Sequence, residues 1–155
     1  MFPPSLKAFG IEPHQVVFID VSNEKEVLWA TEEALKCKGL AAVISELNEL
    51  SFTQSKRLQL AIEQSHVTGF VLRNSVEKLT TTTCVSRWRI TSVPSAPRQG
   101  LPGVGFPRWN VELLKVRNGQ PGAWQVEWRG LQFYTVPQEQ LQTGYTFNQQ
   151  ALKVG

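Results

Sequence analysis

Residues 40–73 read LAAVISELNELSFTQSKRLQLAIEQSHVTGFVLR. Leu40–Ile44 is a nearly uninterrupted apolar run, Ser51–Ser65 has helical periodicity, and Val67–Leu72 is apolar again. Two short apolar runs around an amphipathic helix predict a strand–helix–strand crossover, with parallel strands buried on both faces. Ser51 is suited to accept from a first-turn amide, and Gln54, three residues on, to return the bond, which marks the helix start. Leu58, Ala61, Ile62 and Ser65 fall on the face expected to meet the sheet, while Lys56, Gln59 and Glu63 point to water.

Upstream, Gln15–Asp20 carries Val16-Val17-Phe18-Ile19 and reads as a further strand. Ser22 or Asn23 is placed to cap a helix with Glu24 and Glu26 in its first turn. Val27, Leu28, Thr31, Ala34 and Leu35 trace its buried stripe, with Trp29 beside it and expected to pack into the core. Lys36, Lys38 and Gly39 close the helix. Downstream the pattern changes to strands alone. Asn74–Thr83 is a polar loop, Cys84–Ser92 alternates, and the proline- and glycine-rich 94–107 carries no regular pattern. Trp109–Arg117 and Ala123–Arg129 read as strands joined by a glycine-containing turn, and Leu131–Val136 completes the sheet. The expected architecture is α/β, a mixed sheet of parallel strands with crossover helices followed by an antiparallel extension. A single domain is expected over residues 1–136, with a Gln-rich tail at 137–155.

At 155 residues, 41% hydrophobic and 19% charged, the composition suits a globular domain. No apolar run approaches the roughly 20 residues of a membrane span, and the first residues lack an apolar leader, so a cytoplasmic, membrane-free protein is expected. Cys37 and Cys84 have neither metal nor CxxC spacing and read as reduced thiols. The net charge of +3 is unevenly distributed: residues 1–72 hold 6 Lys/Arg against 9 Asp/Glu, whereas residues 73–130 hold 9 against 3. Such segregation suits nucleic acid, an acidic partner, or simply a solvated sheet face.

Catalytic signatures are few. GxxxxGK[ST] does not occur, and Gly103 and Gly105 precede a strand rather than a helix. His14 and His66 are isolated, so no metal site or histidine triad is expected. Glu32-Glu33 reads as solvated surface, and no cofactor is called for. The chain commits instead to tryptophan beside arginine: Arg87-Trp88-Arg89, Arg108-Trp109 and Trp128-Arg129. Such pairs suit single-stranded nucleic acid and protein hot spots alike. Because neighbours on a strand face opposite ways, core tryptophans with exposed arginines give the same pattern. Arg73, Lys78, Arg87, Arg89, Arg108, Lys115, Arg117 and Arg129 are therefore the candidates for contacting DNA or a partner.

Five motifs in order carry a resemblance: Glu32-Glu33-Ala34-Leu35; Lys56-Arg57-Leu58-Gln59-Leu60-Ala61; Arg87-Trp88-Arg89; Pro107-Arg108-Trp109 through Leu113-Leu114-Lys115-Val116-Arg117-Asn118-Gly119; and Trp124-Gln125-Val126-Glu127-Trp128. From about Ser5 to Val136 the chain resembles the ImuA family of RecA-like, SulA-related accessory proteins of SOS mutagenesis. The resemblance implies a RecA-type fold and a role in damage-induced translesion synthesis, beside an ImuB-like polymerase subunit and an error-prone polymerase. It places Glu46 at the Walker B position, 74–83 at the DNA-contacting loop of RecA, and Lys115 and Arg117 near two lysines that reach a neighbour's nucleotide. The phosphate-loop half of such a core lies outside this sequence. The expectation is thus a non-enzymatic adaptor, a P-loop NTPase-like core truncated without its P-loop, whose open sheet edge takes a second copy (a homodimer) or a docked partner. A SulA-like inhibitor that binds the tubulin-like division protein is the alternative, and a residual nucleotide binder ranks third.

Overall fold

The structure, a computed structural model, describes residues 3–73, 80–95 and 105–137. The chain divides between Val85 and Ser86 into two compact units.

The first unit opens with 3-10 segments at Pro3–Phe9 and Pro13–Gln15. Helix α1 (Glu24–Lys36), strand β1 (Ala42–Glu46), helix α2 (Phe52–Ser65) and strand β2 (Thr68–Leu72) follow. β1 and β2 pair in parallel, from Ala42 opposite Thr68 to Glu46 opposite Leu72, so the strand–helix–strand crossover forms where its pattern placed it. Its capping box forms too: Gln54 N donates to Ser51 Oγ at 3.2 Å and Ser51 N donates to Gln54 Oε1 at 2.8 Å. Asn23, rather than Ser22, caps α1 by accepting from Glu26 N at 3.0 Å.

Leu35, Leu47, Leu50, Leu58, Ala61 and Val67 make the core of this unit, with Val27, Leu28, Val43, Ile62 and Val71 against it. Each fully buried leucine contributes on the order of 2 kcal/mol. The layers meet at Gly69, where a Cβ would stand 3.1 Å from both Ile62 Cδ1 and Leu35 Cδ2. Glycine there lets the helices approach β2 closely. Buried Ser65 ties the two helices together: its Oγ lies 2.5 Å from Leu35 O and 3.1 Å from Ala61 O. At the surface, Arg57 donates to Glu32 at 2.5 Å, and hydrogen bonding to Glu33 raises the Lys36 ammonium above its ordinary range.

Three expectations are corrected in this unit. Gln15–Asp20 is not a strand: Val17 is 78% exposed and pairs with no strand among the described residues. Its apolar pattern marks a segment that fits a sheet, but a ladder also needs a neighbour to bond to. The parallel strands are buried on one face rather than two, since both helices pack on the same side and leave Ile44 and Phe70 more than half exposed. Trp29 is 65% exposed instead of buried, because it lies outside the Val27–Thr31–Leu35 stripe that meets α2.

The second unit is a four-stranded antiparallel sheet of β3 (Ser86–Val93), β4 (Arg108–Val116), β5 (Gly122–Arg129) and β6 (Gln132–Thr135), in that order. The described strands thus form two sheets, and the antiparallel set does not continue the parallel pair as one mixed sheet. β5 and β6 are joined by Gly130 and Leu131, both at positive φ (56° and 62°), the two-residue turn whose twist matches the flanking strands. A bulge between Arg87 and Trp88 interrupts the β3–β4 register. The polar loop at 74–79, the proline-rich 96–104 and the tail from Gln138 onward lie outside the described residues.

Candidate docking site on the antiparallel sheet

Strand alternation sorts the second unit's side chains onto two chemically distinct faces. One face carries Arg89, Thr91, Arg108, Asn110, Glu112, Gln125, Glu127, Arg129, Gln132 and Tyr134, and its members pair across the strands. Arg108 Nε donates to Glu127 Oε2 at 2.6 Å, and both side chains are nearly buried. Arg129 Nε stands 3.8 Å from the other Glu127 oxygen, and its guanidinium carbon lies 4.3 Å from the centre of the Tyr134 ring. Gln125 Nε2 donates to Asn110 Oδ1 at 3.1 Å, and Arg89 faces Glu112 at 3.7 Å. The ladder ends in a cavity of about 340 Å³ lined by Arg108, Glu127, Arg129, Tyr134 and the segment Thr135–Pro137. Two guanidiniums around one carboxylate leave that cavity net positive, the arrangement that holds a carboxylate or a phosphate.

The opposite face bears Trp88, Ile90, Trp109, Val111, Leu113, Trp124, Trp128 and Phe133, and none of its residues from Trp88 onward is charged. Trp128 and Trp109 approach Phe133 with ring centroids 4.6 and 6.0 Å apart, and Trp88 approaches Trp124 at 6.3 Å. Gly122 makes room for the last of these: a Cβ there would meet the Trp124 ring at 2.7 Å. This face is not a sealed core. Ile90 is 64% and Phe133 62% exposed. The tryptophans therefore do lie opposite the arginines, but on a surface open enough to receive a partner.

The sequence candidates do not gather at one place. Arg89, Arg108 and Arg129 share the polar face of the second unit. Arg87 and Lys115 are cross-strand neighbours beyond the bulge, and Arg117 is exposed in the turn after β4. Arg73 belongs to the first unit, where its Nε donates to Asn48 O at 3.2 Å and ties the end of β2 to the loop before α2. Glu46 is exposed at the carboxyl end of β1. Lys78 lies outside the described residues. Sequence reasoning missed Glu127 and Tyr134. Glu127 stands two residues before Arg129 on a strand, so period two alone assigned them one face; Tyr134 entered only through the β5–β6 register. No helix among the described residues is long and apolar enough to cross a membrane.

Fold and site together define an α/β protein with a parallel strand–helix–strand unit and a separate antiparallel sheet that is charged on one face and aromatic on the other. No protein-family model matches the chain. Over 133 residues it is 34% identical to Protein ImuA of Caulobacter vibrioides, in each of two strains, an overlap of 80% of this chain and 54% of the relative. The chain belongs to the ImuA family, and it spans about half the length of the curated relatives it matches.

Proposed function

We propose that this chain acts as a non-catalytic accessory protein in the bacterial SOS response, supporting translesion DNA synthesis by binding rather than by turnover. Family membership is the observation that carries this reading. The two-faced sheet supports it with surfaces suited to partners, and the parallel β1–α2–β2 crossover supports a RecA-like core. Its partners are an ImuB-like polymerase subunit and an error-prone polymerase, with DNA as a second ligand. The test is genetic. Deleting the gene from its host should abolish the rise in mutation frequency after ultraviolet damage, and the tagged protein should co-purify with the ImuB-like subunit. An unchanged mutation frequency in the deletion strain overturns the proposal.

A further inference from the structure

β6 is one of the two edge strands of its sheet among the described residues, the other being β3, and all four β6 residues are exposed. Val136 N donates to Gln125 O at 2.9 Å, which fixes the phase of the ladder beside it. By the alternation of antiparallel pairs, Glu127–Tyr134 and Arg129–Gln132 are then the hydrogen-bonded ones. The backbone N–H and C=O groups of Phe133 and Thr135 consequently point away from β5. Such an edge is a template for another strand.

We propose that the β6 edge accepts an extended segment of a partner protein, in which acidic and apolar residues alternate, as a fifth strand of the sheet. The inference rests on the accessory role above and names the recognition chemistry by which it works. Cross-strand neighbours share a face. A residue opposite Tyr134 therefore enters the polar face beside Arg129, whose side chain is half exposed. An acidic side chain there reaches the net-positive cavity between Arg129 and Arg108. Its neighbours in the incoming strand fall opposite Phe133 and Thr135, on the aromatic face, where Phe133 is open and Trp128 lies against it. Apolar side chains extend that cluster.

The same geometry disfavours nucleic acid at this edge. A stacked strand needs cations on the face that carries its aromatic rings, and from Trp88 onward that face has none among the described strand residues. A peptide that alternates its charge satisfies both faces at once.

The experiment uses the full 155-residue chain and a dye-labelled, end-capped ten-residue peptide alternating glutamate and valine, with binding followed by fluorescence anisotropy. Two control peptides accompany it, one of the same composition in block order and one with lysine replacing glutamate. The alternating acidic peptide should bind, and both controls should bind at least about tenfold more weakly. Arg129→Glu should weaken binding about tenfold by reversing the reachable charge. Thr135→Pro should do the same by removing an outward N–H that β5 does not use, with the circular dichroism spectrum unchanged. Equal binding of the block peptide, or no effect of either substitution, overturns the proposal. Binding that appears only after removal of residues 138–155 also overturns it, since the chain's own tail is then the occupant. So does a dimer that dissociates on Thr135→Pro, which makes a second copy the occupant. A failure here leaves the genetic test of the accessory role standing, because that test reads mutation frequency and not peptide capture.

Discussion

The Arg108 guanidinium and the Glu127 carboxylate meet at 2.6 Å on neighbouring antiparallel strands, with side chains only 13% and 10% exposed. Of the two arginines that Glu127 serves, Arg108 is the structural one and Arg129, half in water, is the one left to act on something else.

That division of labour has a thermodynamic signature. Replacing Glu127 by Gln strands the Arg108 charge in a nearly dry site and should cost about 2–4 kcal/mol in urea unfolding. Arg108→Leu combined with Glu127→Leu should cost clearly less than the sum of the two single leucine substitutions, since no unpaired charge is then left in the dry part of the site and Arg129 is half in water. The coupling read from the double-mutant cycle checks it, and strict additivity of the two substitutions refutes it.

Leu131 occupies the left-handed region at φ 62°, in the second position of the β5–β6 turn, where a branched side chain is strained. Its side chain is 63% exposed, so it contributes little packing in return. Leu131→Asn should raise stability by roughly 0.5–1 kcal/mol, and Leu131→Gly by less because of the unfolded-state entropy it adds. Thermal midpoints of the two variants against the parent measure this.

In the first unit, Ser65→Ala leaves the Leu35 carbonyl at the end of α1 without the hydroxyl that reaches it. The site is buried, so a loss of about 1–2 kcal/mol is expected. Hydrogen exchange should show faster opening of the last turn of α1, with little change in the four-stranded sheet. Uniform acceleration across both units would contradict the assignment of Ser65 to this local tie.

Ile90 lies on the aromatic face at 64% exposure. If that face is a surface rather than a core, Ile90→Thr should shift stability by no more than about 0.5 kcal/mol. It should also lower any concentration-dependent association seen by sedimentation. A loss of several kcal/mol would mean that Ile90 is covered within the chain.

The local grammar of residues 40–73 was enough to place two strands, one helix and its reciprocal cap, because each depends on neighbours within a turn or two of sequence. Period-two alternation likewise puts Trp88, Trp109 and Trp128 on the face opposite Arg89, Arg108 and Arg129 without any strand pairing. What alternation left open was how much water each face sees. The tryptophans have the pattern of a core, yet Trp88 is half exposed; on α1, Trp29 stays in water because only the stripe beside it meets α2. Val16–Ile19 shows the limit most plainly: its residues are those of a strand, but the backbone partner that would make it one is not encoded in the segment.

The sequence by itself determined the crossover unit, the change to antiparallel strands after Cys84, the Trp–Arg alternation and the family. Tertiary structure alone decided that these elements form two sheets, that Glu127 draws Arg108 and Arg129 to one carboxylate, and that β6 ends the sheet with outward amides. The reason is physical. Caps, turns and periodicity are set by forces that act over a few residues, whereas burial, ion pairing and strand edges depend on which distant segments arrive alongside.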